Sequence, residues 1–124
     1  MGIEIPRVRF EPVDNENADF DLTSVQTVLT HTLTEDGLYV GRVQIGDGVK
    51  DLDASGGGFE LTVVIGGNTV EPGPQTITFG TNARSSAISA MFVGKAGEQV
   101  LLKLKSPNAG DTDVDVTADL FALV

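Results

Sequence analysis

The segment Gly56–Gly67, GGGFELTVVIGG, constrains the fold of this chain more than any other. Phe59, Leu61, Val63 and Ile65 share one parity, and Glu60, Thr62 and Val64 share the other. Successive side chains of a β-strand point to opposite faces, so this alternation is that of a strand with one buried face. Aromatic and β-branched residues suit such a pleated surface. The glycine runs at both ends supply the backbone freedom that turns require.

The same period recurs along the chain. Val25, Thr27, Leu29, His31 and Leu33 form the core side of one predicted strand, and Leu38–Ile45 resumes after the Glu35-Asp36-Gly37 turn. Its parity slips beside Gly41, which predicts a β-bulge within a hairpin over 25–45. Thr76–Phe79 reads as a short strand, and Ser86–Val93 places Ile88, Ala90 and Phe92 on one face. Val100, Leu102 and Leu104 alternate with Lys103 and Lys105, while Val114, Val116, Ala118, Leu120 and Ala122 alternate with Asp113, Asp115, Thr117 and Asp119. With about eight strands separated by turn signals and no helical pattern, the prediction is all-β: an antiparallel, jelly-roll-like β-sandwich. The 124 residues suffice for one core, assigned to residues 25–124. Residues 1–24 read as an extended N-terminal arm, because Pro6 and Pro12 lack the N–H of a central strand and EPVDNENADFD is acidic.

The net charge of −10 and the pI near 4.2 oppose the phosphate neutralisation on which nucleic-acid binding depends, and equally an anionic membrane surface. No apolar run is long enough to span a bilayer, and MGIEIPRVRFEPVDNE has neither a basic n-region nor a long apolar run, so a cytoplasmic product is expected. The absence of cysteine removes disulfides, thiolate nucleophiles and thiolate metal sites.

Catalytic chemistry finds little material. His31 is the only histidine and lies on the apolar parity of its strand, as an interior or interface histidine would. There is no G-x-S-x-G elbow, so neither an enzyme nor any catalytic residue is expected. Asp47, Asp51 and Asp53 share one loop and Asp111, Asp113 and Asp115 another, but neither set matches the EF-hand calcium loop, and both are read as solvated rather than as metal ligands. Gly56-Gly57-Gly58 precedes a strand, so no helix N-terminus offers a phosphate cradle. A glycan site would centre on Tyr39 and the Asp47–Gly58 loop, although the chain has no tryptophan to stack on a sugar. Val64, Met91, Val93 and Leu101 all fall on outward parities, and their clustering on one sheet would mark a subunit interface.

The segments AISAMFVGKAGEQVLLKL (Ala87–Leu104) and DVDVTADLFALV (Asp113–Val124), with DG and GG turns, no cysteine and an acidic pI, resemble the capsid decoration (cement) proteins of tailed bacteriophages. That resemblance implies a non-enzymatic virion structural protein, made in the host cytoplasm and placed on the capsid surface. It would bridge subunits of the major capsid protein as a homotrimer, without cofactor. It further implies Ile3, Ile5, Val8 and Phe10 as contacts of the arm, while Met91 and Val93 are interface candidates on their outward parity alone. Similar sandwiches serve in phage tails and fibres, so the alternative is a glycan- or receptor-binding module.

Overall fold

The computed structural model describes residues 9–45, 59–66, 68–69, 75–77, 86–106 and 110–124. The strands are β1 (Phe10–Phe20), β2 (Gln26–Thr32), β3 (Gly37–Ile45), β4 (Phe59–Ile65), β5 (Asn68–Thr69), β6 (Gln75–Ile77), β7 (Ser86–Gly94), β8 (Gln99–Lys105) and β9 (Val114–Leu123). They form two antiparallel sheets: a front sheet in the order β1-β9-β3-β7 and a back sheet in the order β2-β8-β4-β5, with β6 also paired to β4. This is the predicted jelly-roll-like β-sandwich.

Apart from β4–β6, each step along the chain carries it from one sheet to the other. The expected hairpin over 25–45 is therefore not formed. β2 pairs with β8 in the back sheet, and β3 pairs with β7 and β9 in the front sheet. The connection crosses the edge of the sandwich and is pinned by Leu33 N donating to Glu98 O at 2.9 Å and Gly97 N donating to Leu33 O at 2.8 Å. At the other end, Leu22 N donates to Asp111 O at 3.0 Å and Ser106 N donates to Leu22 O at 2.8 Å.

Between the sheets lies one apolar core. Val43, Ile45, Val116 and Leu120 of the front sheet meet Leu61, Val100, Leu102 and Leu104 of the back sheet, all essentially without solvent exposure. Burying each such side chain contributes on the order of 1.5–3 kcal/mol of gross stabilisation. Phe59, Leu61, Val63 and Ile65 all face this core, as the alternation in β4 requires.

Two local expectations change. β3 runs in unbroken register against both neighbours, so no bulge occurs at Gly41. Gly41 faces the core with Tyr39, Val43 and Ile45, and a Cβ there would lie 2.7 Å from Leu102 Cδ2. The missing side chain is the space Leu102 occupies, and Leu38 and Val40 simply point outward. The register shifts fall elsewhere, between Pro12 and Asp14 and between Thr27 and Leu29. The second buries Val28 and Leu29 together and leaves Val25 and Thr27 outside, contrary to the expected parity.

Residues 10–20 of the expected arm form β1, which pairs along its length with β9; Arg9 and Val124 extend the ladder through two backbone bonds of 3.0 and 2.9 Å. Ile3, Ile5 and Val8 lie outside the described residues, as do Asp47, Asp51, Asp53 and Phe79.

Candidate functional site

The outer face of the front sheet is divided into two chemically distinct halves. Register across the four strands places Pro12, Phe121, Val40 and Met91 in one lateral row. Beside it, Phe10 lies opposite Leu123, and Leu38 opposite Val93. Phe10 is 56% exposed, Met91 52% and Val93 71%, while Leu38, Val40, Phe121 and Leu123 are half-buried. The rings of Phe10 and Phe121 meet edge to face at 6.2 Å between centroids. Such a contiguous apolar surface differs from the single exposed side chains normal in any protein.

The next rows are polar. Asn15, Asp119, Arg42 and Ser89 lie side by side, followed by Asn17, Thr117, Gln44 and Ala87. Asp119 faces outward yet is buried beneath its partners. It accepts a hydrogen bond from Asn15 Nδ2 and another, at 2.9 Å, from an Arg42 guanidinium nitrogen. The Arg42 guanidinium carbon lies 5.3 Å from the centroid of the Phe121 ring, a cation–π arrangement that joins the halves. At this border Phe10, Val40, Arg42, Ser89 and Phe121 line an open cleft of about 320 Å³.

Of the residues singled out in the sequence, Phe10, Met91 and Val93 are thus brought onto one face. Val64 and Leu101 are not: they pair with each other on the outer face of the back sheet, amid Thr30, Thr62 and Lys103. The four outward apolar residues divide between opposite surfaces because β4 and β8 belong to the other sheet.

The remaining candidates have structural partners. His31 is half-buried and its Nδ1 lies 3.0 Å from Asp14 Oδ2, across the sandwich edge. Tyr39 is buried rather than displayed: its ring stacks on Phe92 with centroids 5.9 Å apart, and its hydroxyl donates to the Glu35 carbonyl. Burial, with Glu35 and Asp36 nearby, raises its hydroxyl pKa above the ordinary 10.0. Asp111 is buried and accepts from Ser106 Oγ at 2.6 Å, contrary to its expected solvated place, whereas Asp113 is exposed and Asp115 half-exposed. Among the described residues no three carboxylates or histidines are grouped as metal ligands.

Leu38, Val40, Phe121 and Leu123 are the site residues that alternation alone did not single out. Their signal is the apolar content of both parities in LYVGRV and at the end of DLFALV.

No family model matches the chain, and no curated protein matches it. Among solved structures, the C-terminal domain of EclA, a sugar-binding protein, aligns with a TM-score of 0.50 at 11% identity, covering 87% of this chain and 79% of that one. Rabbit GITRL aligns with a TM-score of 0.36 at 16% identity, covering 82% of this chain and 90% of its own, a likeness too slight to bear on the fold. The EclA similarity is one of architecture.

Proposed function

We propose that this protein is a non-enzymatic binding module that docks onto a protein partner through the apolar half of the front face. The observation that carries this is the pair of lateral apolar rows running from Phe10 and Phe121 through Val40 to Met91 and Val93. Water against such a surface is released on docking, contributing roughly 25 cal/mol per Å² of apolar area removed from solvent. Among the described residues the back face offers no comparable stretch: Leu101 and Val64 stand among Thr30, Thr62 and Lys103. In its most specific form, taken from the sequence resemblance, the partner is the major capsid protein of a tailed phage and the chain decorates the capsid. The support for that form is the pattern of Ala87–Leu104 and Asp113–Val124, together with an exposed Phe10 on the same face.

A second reading is favoured by the cleft at the border of the two halves. Aromatic rings beside Arg42 and Ser89 are the groups a saccharide uses, ring faces against C–H and polar groups against hydroxyls. Against it, the Phe121 ring already carries Arg42, and no tryptophan supplements it.

The test is co-sedimentation with purified empty heads of the phage this reading requires, using the full chain and a Val40→Asp, Phe121→Ser variant. Docking lost in the variant supports the capsid reading. Absent docking, with saturable binding to a saccharide panel abolished by Arg42→Ala, replaces it with the glycan reading.

A further inference from the structure

The edges of the two sheets are protected unequally. β1 carries Glu11, Asp14, Glu16 and Asp19, and it also has Pro12 and a register shift beside it. β2 is shifted between Thr27 and Leu29 and is tied to β1 through His31 and Asp14. Charges, proline, bulges and brevity are the devices by which proteins keep edge strands from pairing with other chains. β7 has none of them: SAISAMFVG is nine residues long, without charge or proline, in unbroken register with β3. Among the described residues β7 pairs with β3 alone.

We infer that β7 is a pairing edge for a second copy of this chain, related by a two-fold axis through Ala90. The occupant follows from the strand's own pattern. Antiparallel pairing centred on Ala90 uses all nine residues and sets Met91 opposite Ser89 and Val93 opposite Ala87 on the outer face. On the inner face it sets Phe92 opposite Ile88 and Ala90 opposite itself. Large side chains thus meet small ones in every outer pair, which is how facing positions interdigitate without clash. A chain of net charge −10 repels its copies, and this strand brings no carboxylate to the contact. The two front sheets become one eight-stranded sheet, and the exposed Met91 and Val93 each gain a cross-strand neighbour.

The register is tested directly, because the chain has no cysteine of its own. Residues directly opposite in an antiparallel pair have Cα atoms about 4.5–5.5 Å apart, within the span of a disulfide. Diagonal neighbours, at roughly 7–8 Å, are not. Ser89→Cys and Met91→Cys chains are mixed under mild oxidation and compared with each variant alone on a non-reducing gel. Ser89 and Met91 both face solvent, so both variants retain the fold, checked by circular dichroism. The expected result is a linked pair as the main product of the mixture and little from either variant alone, with a native mass of two chains by light scattering at low micromolar concentration. Linking no greater in the mixture than in the single variants overturns the inference, as does a native mass of one chain or of three. The pair stands on β7 alone, so capsid docking lost with the pair intact, or the reverse, separates this inference from the proposed function.

Discussion

His31 Nδ1 and Asp14 Oδ2 lie 3.0 Å apart, joining the edge strand of the back sheet to the edge strand of the front sheet. Each side chain is about a quarter exposed, at 24% and 28%, so water competes only in part for the bond. His31→Ala and Asp14→Ala are each expected to lower stability by about 0.5–1.5 kcal/mol. In a double-mutant cycle by urea unfolding, the two losses should overlap by about 0.5 kcal/mol or more. Strict additivity would show that the pair does not hold the edge closed.

Gly94 faces the core where a Cβ would run into Leu33 Cδ1 and touch the Tyr39 ring at 3.4 Å. Alanine there reduces the freedom of the unfolded chain, worth about 0.4–1 kcal/mol of stabilisation. Overpacking costs about 1–3 kcal/mol, and fully buried Leu33 has little room to turn away, so the clash wins. Gly94→Ala is expected to destabilise, and Leu33→Val in the same chain to recover part of the loss. Thermal denaturation of the three variants checks both signs.

Tyr39 gives the molecule an alkaline limit. Its pKa in the folded state is raised above 10.0 by burial first, and by Glu35 and Asp36 after that. The folded protein therefore holds a proton that the unfolded chain releases. The corresponding stability is complete below the unfolded pKa and is lost as pH rises through the folded value. Stability should fall above pH 10, and Tyr39→Phe should flatten that fall. As the chain has one tyrosine and no tryptophan, the ultraviolet absorbance of tyrosinate reports this group alone.

Asp111 holds the crossing between β8 and β9 through its bond from Ser106 and its carbonyl's bond from Leu22 N. Asp111→Ala removes the buried bond from Ser106 Oγ, and a loss of about 0.5–1.5 kcal/mol is expected in chemical unfolding. Asp113→Ala, at an exposed position, should change stability by less than about 0.5 kcal/mol.

How much of this was legible in the sequence follows from what alternation records. It records which residues face inward, so Phe59–Ile65 and the core face of β9 were readable directly. It does not record which sheet a strand joins. Val25–Ile45 looked like a hairpin because two strands flank a tight turn, and the bonds that send them to different sheets come from Glu98 and Gly97, far along the chain. Nor does alternation separate a bulge from an apolar outer face. Leu38 and Val40 looked like a slip in register when they are the middle of the candidate site. Phe121 was hidden in the same way, on a parity that opens with Asp115, Thr117 and Asp119.

The shuttling of the chain between sheets also governs how the molecule reaches its native state. Among the described residues β1 finds its ladder partner in β9 and β2 finds its own in β8, so these pairings close loops of most of the chain length. Topologies dominated by such distant pairings fold on the millisecond-to-second scale, far more slowly than helical bundles. The ladders of β4 with β5 and with β6 are the local exceptions, available before the distant pairings close. While β1 waits for β9, the uncharged β7 edge is exposed to every other nascent chain. The acidic residues of β1, β4 and β9, within a chain of net charge −10, then act as a kinetic safeguard, keeping molecules apart until each has closed on itself.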